Sequence, residues 1–367
     1  MKRIIKRFII IFSIIFTAMI STREAYAAEM PPGSEEISAQ VDEMLEDYDI
    51  SYSYGDMSGL SIGEMISSIG ESTAARVKAP VKLLGTILVI VVFSSFMKSA
   101  GESVFSKNSS SNLYNLICVL SAVAVISPAL LRAYENASSA IDRGGGFMLV
   151  FVPVYAGITV ASGGITSAGI YNVVTLAAAE IMIQLSRTLL MPILSMTAAL
   201  AITGSVFPNT TVDSLVRLAK KFVTWGMTAA MTLFTGFISL KCTLGSTVDG
   251  FAAKTVKFMI SGFVPVIGSA VSDAYSTVKG SFGVMRCTAG TAGTIAVVLI
   301  MLPPILELLA FRAVMWTGGT AAEMFSAEPL AKLLKSLDNG LAIAMSILVG
   351  FSVLFIISTA ILMKTAM

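Results

Sequence analysis

From residue 81 to the end, the chain alternates long apolar runs with short polar breaks. VKLLGTILVIVVFSSFM (81–97), LYNLICVLSAVAVISPALL (113–131) and GFMLVFVPVYAGITVASGG (146–164) are each long enough to cross about 30 Å of hydrocarbon as a helix. Between 171 and 207 the apolar pattern is too long for one span. It is interrupted by Glu180, Gln184, Arg187 and Pro192, which predicts two helices with a tight turn near Arg187. Further spans follow at 222–240, 291–310 and 341–363. The stretch FMISGFVPVIGSAVSDA (258–274) is of marginal length and is interrupted by Gly262, Pro265 and Gly268, so it reads as a broken or re-entrant element. The pattern predicts an all-α, polytopic helical membrane protein with about eight spans, within a range of seven to nine.

The first 27 residues differ in kind. MKRIIKR is basic, FIIIFSIIFTAMI is apolar but short for a span, and STREAYA ends in an Ala-x-Ala site, so a cleaved secretory signal is expected over 1–27. The following segment, 28–78, holds eleven Asp or Glu against Arg76 and Lys78, and is expected to be extracytoplasmic. Ser34 can cap a helix bearing Ile37, Val41, Leu45 and Tyr48 on one face. Ser61 with Glu64 forms a capping box before Ile62, Met65, Ile66 and Ile69. The expected organisation is therefore a signal peptide (1–27), a short, mainly helical acidic segment (28–78) and a helical membrane domain (79–367).

Composition agrees with that division: 55% of the 367 residues are hydrophobic and 13% are charged, half the charged fraction of a soluble domain. The chain has no histidine, which removes Ser-His and Cys-His nucleophile pairs and imidazole metal ligation. Cys118, Cys242 and Cys287 lack ligand spacing, so no zinc site or disulfide framework is expected. The glycines at 144–146 and in GITVASGG are followed by no Lys-Ser/Thr, which argues against a phosphate loop. No catalytic residue, cofactor, metal or nucleic-acid partner is expected.

Two polar features remain. Glu180, Gln184 and Arg187 stand at i, i+4 and i+7, so they share one helical face within an apolar stretch, either as a polar pathway or as interhelical glue. Glu307 with Arg312, near Pro303 and Pro304, is a second candidate site, against the plainer reading of Arg312 as interfacial and Glu307 as within a turn of water. A short repeat also stands out: TVDSLVRLAKKFVTWG (211–226) and TVDGFAAKTVKFMISG (247–262) share TVD, KF and Gly in register. The repeat reads as two amphipathic cuffs, each leading into an apolar element.

KLLGT at 82–86, ASGG followed by Ser167 and Ala168, and above all TVKFMISGFVPVIGSAVSDAYSTV at 255–278 resemble the stage III sporulation protein AE family. So does the order of a signal, a short extracytoplasmic segment and a helical membrane body. The resemblance implies a mother-cell membrane protein, in the membrane that becomes the outer forespore membrane. It implies partners: the other stage III A sporulation proteins, a separate ATPase subunit among them, and a forespore membrane partner, with the lipid bilayer as surroundings. The function it implies is that of a non-enzymatic subunit of a transenvelope channel complex. The alternative is a stand-alone secondary transporter, with its site at Gly262, Pro265, Gly268 and Asp273 and with the Glu180–Arg187 face as its polar lining.

Overall fold

The computed structural model describes residues 62–104, 110–185, 188, 191–206, 212–263 and 268–364, with the helical positions Ala39, Glu43 and Glu46. The expected signal, nearly all of 28–61, Arg187 and Pro265 lie outside the described residues. Seven helices make up the rest: α1 (Ile62–Val104), α2 (Ser110–Ala161), α3 (Ile165–Leu185), α4 (Met191–Val206), α5 (Val212–Phe263), α6 (Gly268–Met324) and α7 (Glu328–Lys364). Six of them are long and apolar enough to cross a membrane. The protein is a polytopic helical membrane protein, as the hydropathy pattern predicts.

The expected runs are distributed differently from the pattern-based count of eight spans. Runs 113–131 and 146–164 are not separate helices but lie, up to Ala161, on α2. The polar break between them, RAYENASSAIDR (132–143), holds three Ala, two Arg and one Glu, all strong helix formers, and has no Gly or Pro to stop the helix. Likewise α5 runs unbroken through both halves of the TVD repeat and the apolar stretch between them. The 258–274 stretch holds the last turns of α5 and the first turns of α6.

Side-chain contacts fix the direction of each pass. Arg76 meets Glu307, and Ile87 packs at Gly318, so α1 and α6 run the same way. Asn136 also meets Glu307, while Phe151 and Tyr155 fill the space over Gly293 and Gly290, so α2 runs against α6. α3 returns along α2, with Ile183 packed at Gly145. α4 continues in the same direction, since Thr197 and Tyr134 meet over Gly340. α5 runs parallel to α7, from Lys220 beside Asn339 to Met227 at Gly350. α6 and α7 form an antiparallel hairpin, from Arg312 against Asp338 to Gly290 against Met363. The outcome is six passes: α1, α2, α3 with α4, α5, α6 and α7. The start of α1 and the end of α7 share one end of the bundle, and the α6–α7 turn lies at the other.

Glycines let these helices approach closely, since a large side chain from one helix seats in the gap that a glycine leaves on the next. The core around Gly290 and Gly293 is an aromatic column. Phe147 stacks on Phe151 (5.4 Å between centroids) and Phe151 on Tyr155 (5.5 Å), while Phe355 of α7 and Tyr171 of α3 meet the column edge-on at 5.8 and 5.5 Å. Edge-to-face and offset geometries suit the ring quadrupoles, so the column locks α2, α3 and α7 together. The 57 residues of α6 extend about 85 Å at 1.5 Å per residue, far beyond about 30 Å of hydrocarbon.

Candidate functional site

Charge-free stretches of α2, α6 and α7 lie to one side of a common level at which charged side chains gather. Glu307 of α6, only 6% exposed, sits one turn past Pro303 and Pro304. Arg76 Nη1 of α1 lies 3.3 Å from its Oε2, and Asn136 Nδ2 of α2 donates to both carboxylate oxygens at 3.0 and 3.1 Å. Five residues further along α6, Arg312 grips Asp338 of α7 through Nε (2.8 Å) and Nη2 (3.4 Å). Beside Asp338, Asn339 accepts a hydrogen bond from Lys220 Nζ of α5 at 2.8 Å. Thr197 of α4 touches Gly340 at the same level, close to where α3 gives way to α4.

This belt ties five helices directly and seats α4 against them. Each of its carboxylates is matched with a guanidinium, which offsets the cost of burying it; removing one partner would leave the other uncompensated. The arrangement holds passes in register and orients polar groups at a helix break, which is where helical membrane proteins place polar function. Glu307 and Arg312 do not form one site. Positions i and i+5 point about 140° apart on a helix, so the two charges take partners on different neighbours. Glu307 is also buried rather than close to water.

A second polar cluster closes the end of the bundle where α1 starts. Asp249 of α5 caps the start of α3, accepting hydrogen bonds from Thr166 N (2.8 Å), Ser167 N (2.9 Å) and Ser167 Oγ (2.8 Å). These are the amides that a new helix leaves without partners, and a carboxylate there also suits the helix dipole. Arg286 of α6, 2% exposed, lies beside Tyr155 and donates to the carbonyl of Leu362 and, at 3.3 Å, to that of Met363 at the end of α7. A cation on terminal carbonyls is the complementary case. Gly163, at φ +86°, makes the tight α2–α3 turn that brings Ser167 to Asp249.

Of the candidate residues, Glu180 and Gln184 share the outer, exposed face of α3 with Val173 and Ile181. Gly262 lies in the last turn of α5, Gly268 opens α6 and Asp273 is exposed in its early turns. The structure does not bring the two groups together, as Glu180 lies toward the belt and Gly268 at the bundle's end. The sequence pattern does not single out Arg76, Asn136, Arg286 or Asp338. Arg286 carried a signal: it is a cation only five residues before the apolar run 291–310, which demands a partner in a bundle this apolar. No group of three or more potential metal-ligating side chains occurs among the described residues.

A family model described as "Stage III sporulation protein AE (spore_III_AE)" matches residues 46–366. A protein named "Stage III sporulation protein AE" in Bacillus subtilis (strain 168) is 22% identical over 281 residues, covering 77% of this chain and 70% of that protein. No solved structure matches.

Proposed function

The chain belongs to the stage III sporulation protein AE family, and from that membership we propose that it is a non-enzymatic membrane subunit of a channel complex joining mother cell and forespore during sporulation. It sits in the mother-cell membrane that becomes the outer forespore membrane. Its partners are the other stage III A proteins, including a separate ATPase subunit, and a protein of the forespore membrane. Forespore development depends on the assembly.

The observation that carries this reading is the outward placement of Glu180 and Gln184 on α3. A carboxylate among Val173 and Ile181 on the outside of an apolar bundle is costly against lipid and calls for a polar neighbour. In a multiprotein complex a second subunit supplies that neighbour. A stand-alone transporter instead needs its polar residues turned toward an interior path, and Glu180 points away from one.

Native purification from sporulating cells tests the proposal. Co-purification with the other stage III A proteins is expected, and Glu180→Gln weakens it. Isolation of the protein alone, with substrate uptake in proteoliposomes, would overturn the proposal in favour of a transporter.

A further inference from the structure

Between α4 and α5 lies an open cleft of about 720 Å³, walled by Met196 and Leu200 of α4 and by Leu215, Leu218, Phe222 and Trp225 of α5. Apolar walls over such a volume suit a hydrocarbon chain rather than a polar solute. Lys221 is part of the lining. Arg217, exposed and held by Ser214 Oγ at 3.0 Å, precedes it by one turn on the same helical face. Lys220 is turned instead to Asn339 of the belt. α4 carries no charged residue, so nothing on the opposite wall balances these cations.

Two cations at the edge of an apolar cleft select a ligand with an anionic head and a long apolar body. Trp225 and Lys221 together form the aromatic and basic signature of the headgroup region. We propose that the α4–α5 cleft is a binding site for an anionic glycerophospholipid of the surrounding bilayer. An acyl chain lies between Leu200, Leu218 and Phe222, and the headgroup phosphate lies against Lys221 and Arg217. The site is independent of any partner subunit.

The chain has two tryptophans, so Trp316→Phe leaves Trp225 as the reporter of the cleft. The full-length variant is reconstituted in vesicles doped with brominated phosphatidylglycerol or brominated phosphatidylcholine, and Trp225 quenching is followed. The anionic lipid quenches at a mole fraction about thirtyfold lower, in line with about fivefold for each of two nearby cations. Arg217→Gln and Lys221→Gln each reduce that preference about fivefold, and added salt reduces it further. Lys257→Gln, at the far end of α5, leaves it unchanged. Equal quenching by both lipids would overturn the proposal by making the cleft merely apolar. Absence of quenching by either would overturn it by showing that protein covers the cleft.

Discussion

Helices α5 and α7 run parallel, each longer than a bilayer is thick, yet they live in opposite surroundings. In its most apolar stretch 78% of α7 is buried, against 11% of α5. Mean hydropathy follows, at 2.6 and 1.3. α7 packs against α2, α3, α4, α5 and α6, so every face must be apolar and close-fitting. α5 anchors itself through a narrow inner face, by Lys220, Met227, Cys242 and Asp249, and turns the rest outward. The repeat on α5 explains how that outward face persists. Its halves lie thirty-six residues apart, about ten whole turns, so equivalent residues keep the same angle. Phe222 and Phe258 are accordingly 73% and 75% exposed. α7 holds the bundle together, whereas α5 turns most of its surface outward.

The contrast predicts a graded series of stability losses, read as thermal unfolding of the purified protein in detergent. Glu307→Ala, which strips Arg76 and Asn136 of their shared acceptor, costs about 3–5 kcal/mol. A loss under about 1 kcal/mol would mean that the belt does not hold the passes together. Next, Gly293→Ala pushes a methyl group into the Phe151 ring and costs about 1–3 kcal/mol. Asp249→Ala, on the inward side of α5, removes the α3 cap and costs about 1 kcal/mol. Leu233→Ala, outward on the same helix, changes stability by less than about 0.5 kcal/mol. Were Leu233→Ala as costly as Asp249→Ala, the division of α5 into an anchoring and an exposed side would fail.

The apolar spans of α1, α5, α6 and α7 were legible because hydropathy reports burial in lipid or core directly. The continuity of α2 was not. A hydropathy pattern ends a span wherever charges appear, but 132–143 are charged without being poor helix formers, and Pro128 and Pro153 are accommodated inside the helix. Helical spacing sets Glu180 and Gln184 on one face. It could not show which way the face turns, because periodicity gives relative angles and the neighbours fix the absolute one. The belt escaped for a similar reason: Arg76, Asn136 and Glu307 are far apart in sequence and meet only through the register of α1, α2 and α6. Of the TVD repeat, only the structure assigns Asp249 its task on α3.

The single uninterrupted pass of α2, together with α3 and α4 forming one pass, converts eight apolar runs into six passes, and the α2 pass is open to direct measurement. With Cys118, Cys242 and Cys287 replaced by serine, single cysteines at Ser99, near the end of α1, and at Ile165, the first residue of α3, are treated with a membrane-impermeant thiol reagent in oriented vesicles. Met324→Cys, at the end of α6, serves as a second marker for the Ser99 side. The six-pass bundle predicts that Ser99→Cys and Met324→Cys are labelled from one side and Ile165→Cys from the other. Labelling of Ser99→Cys and Ile165→Cys from the same side would mean that 113–164 crosses twice, and would contradict the fold described above.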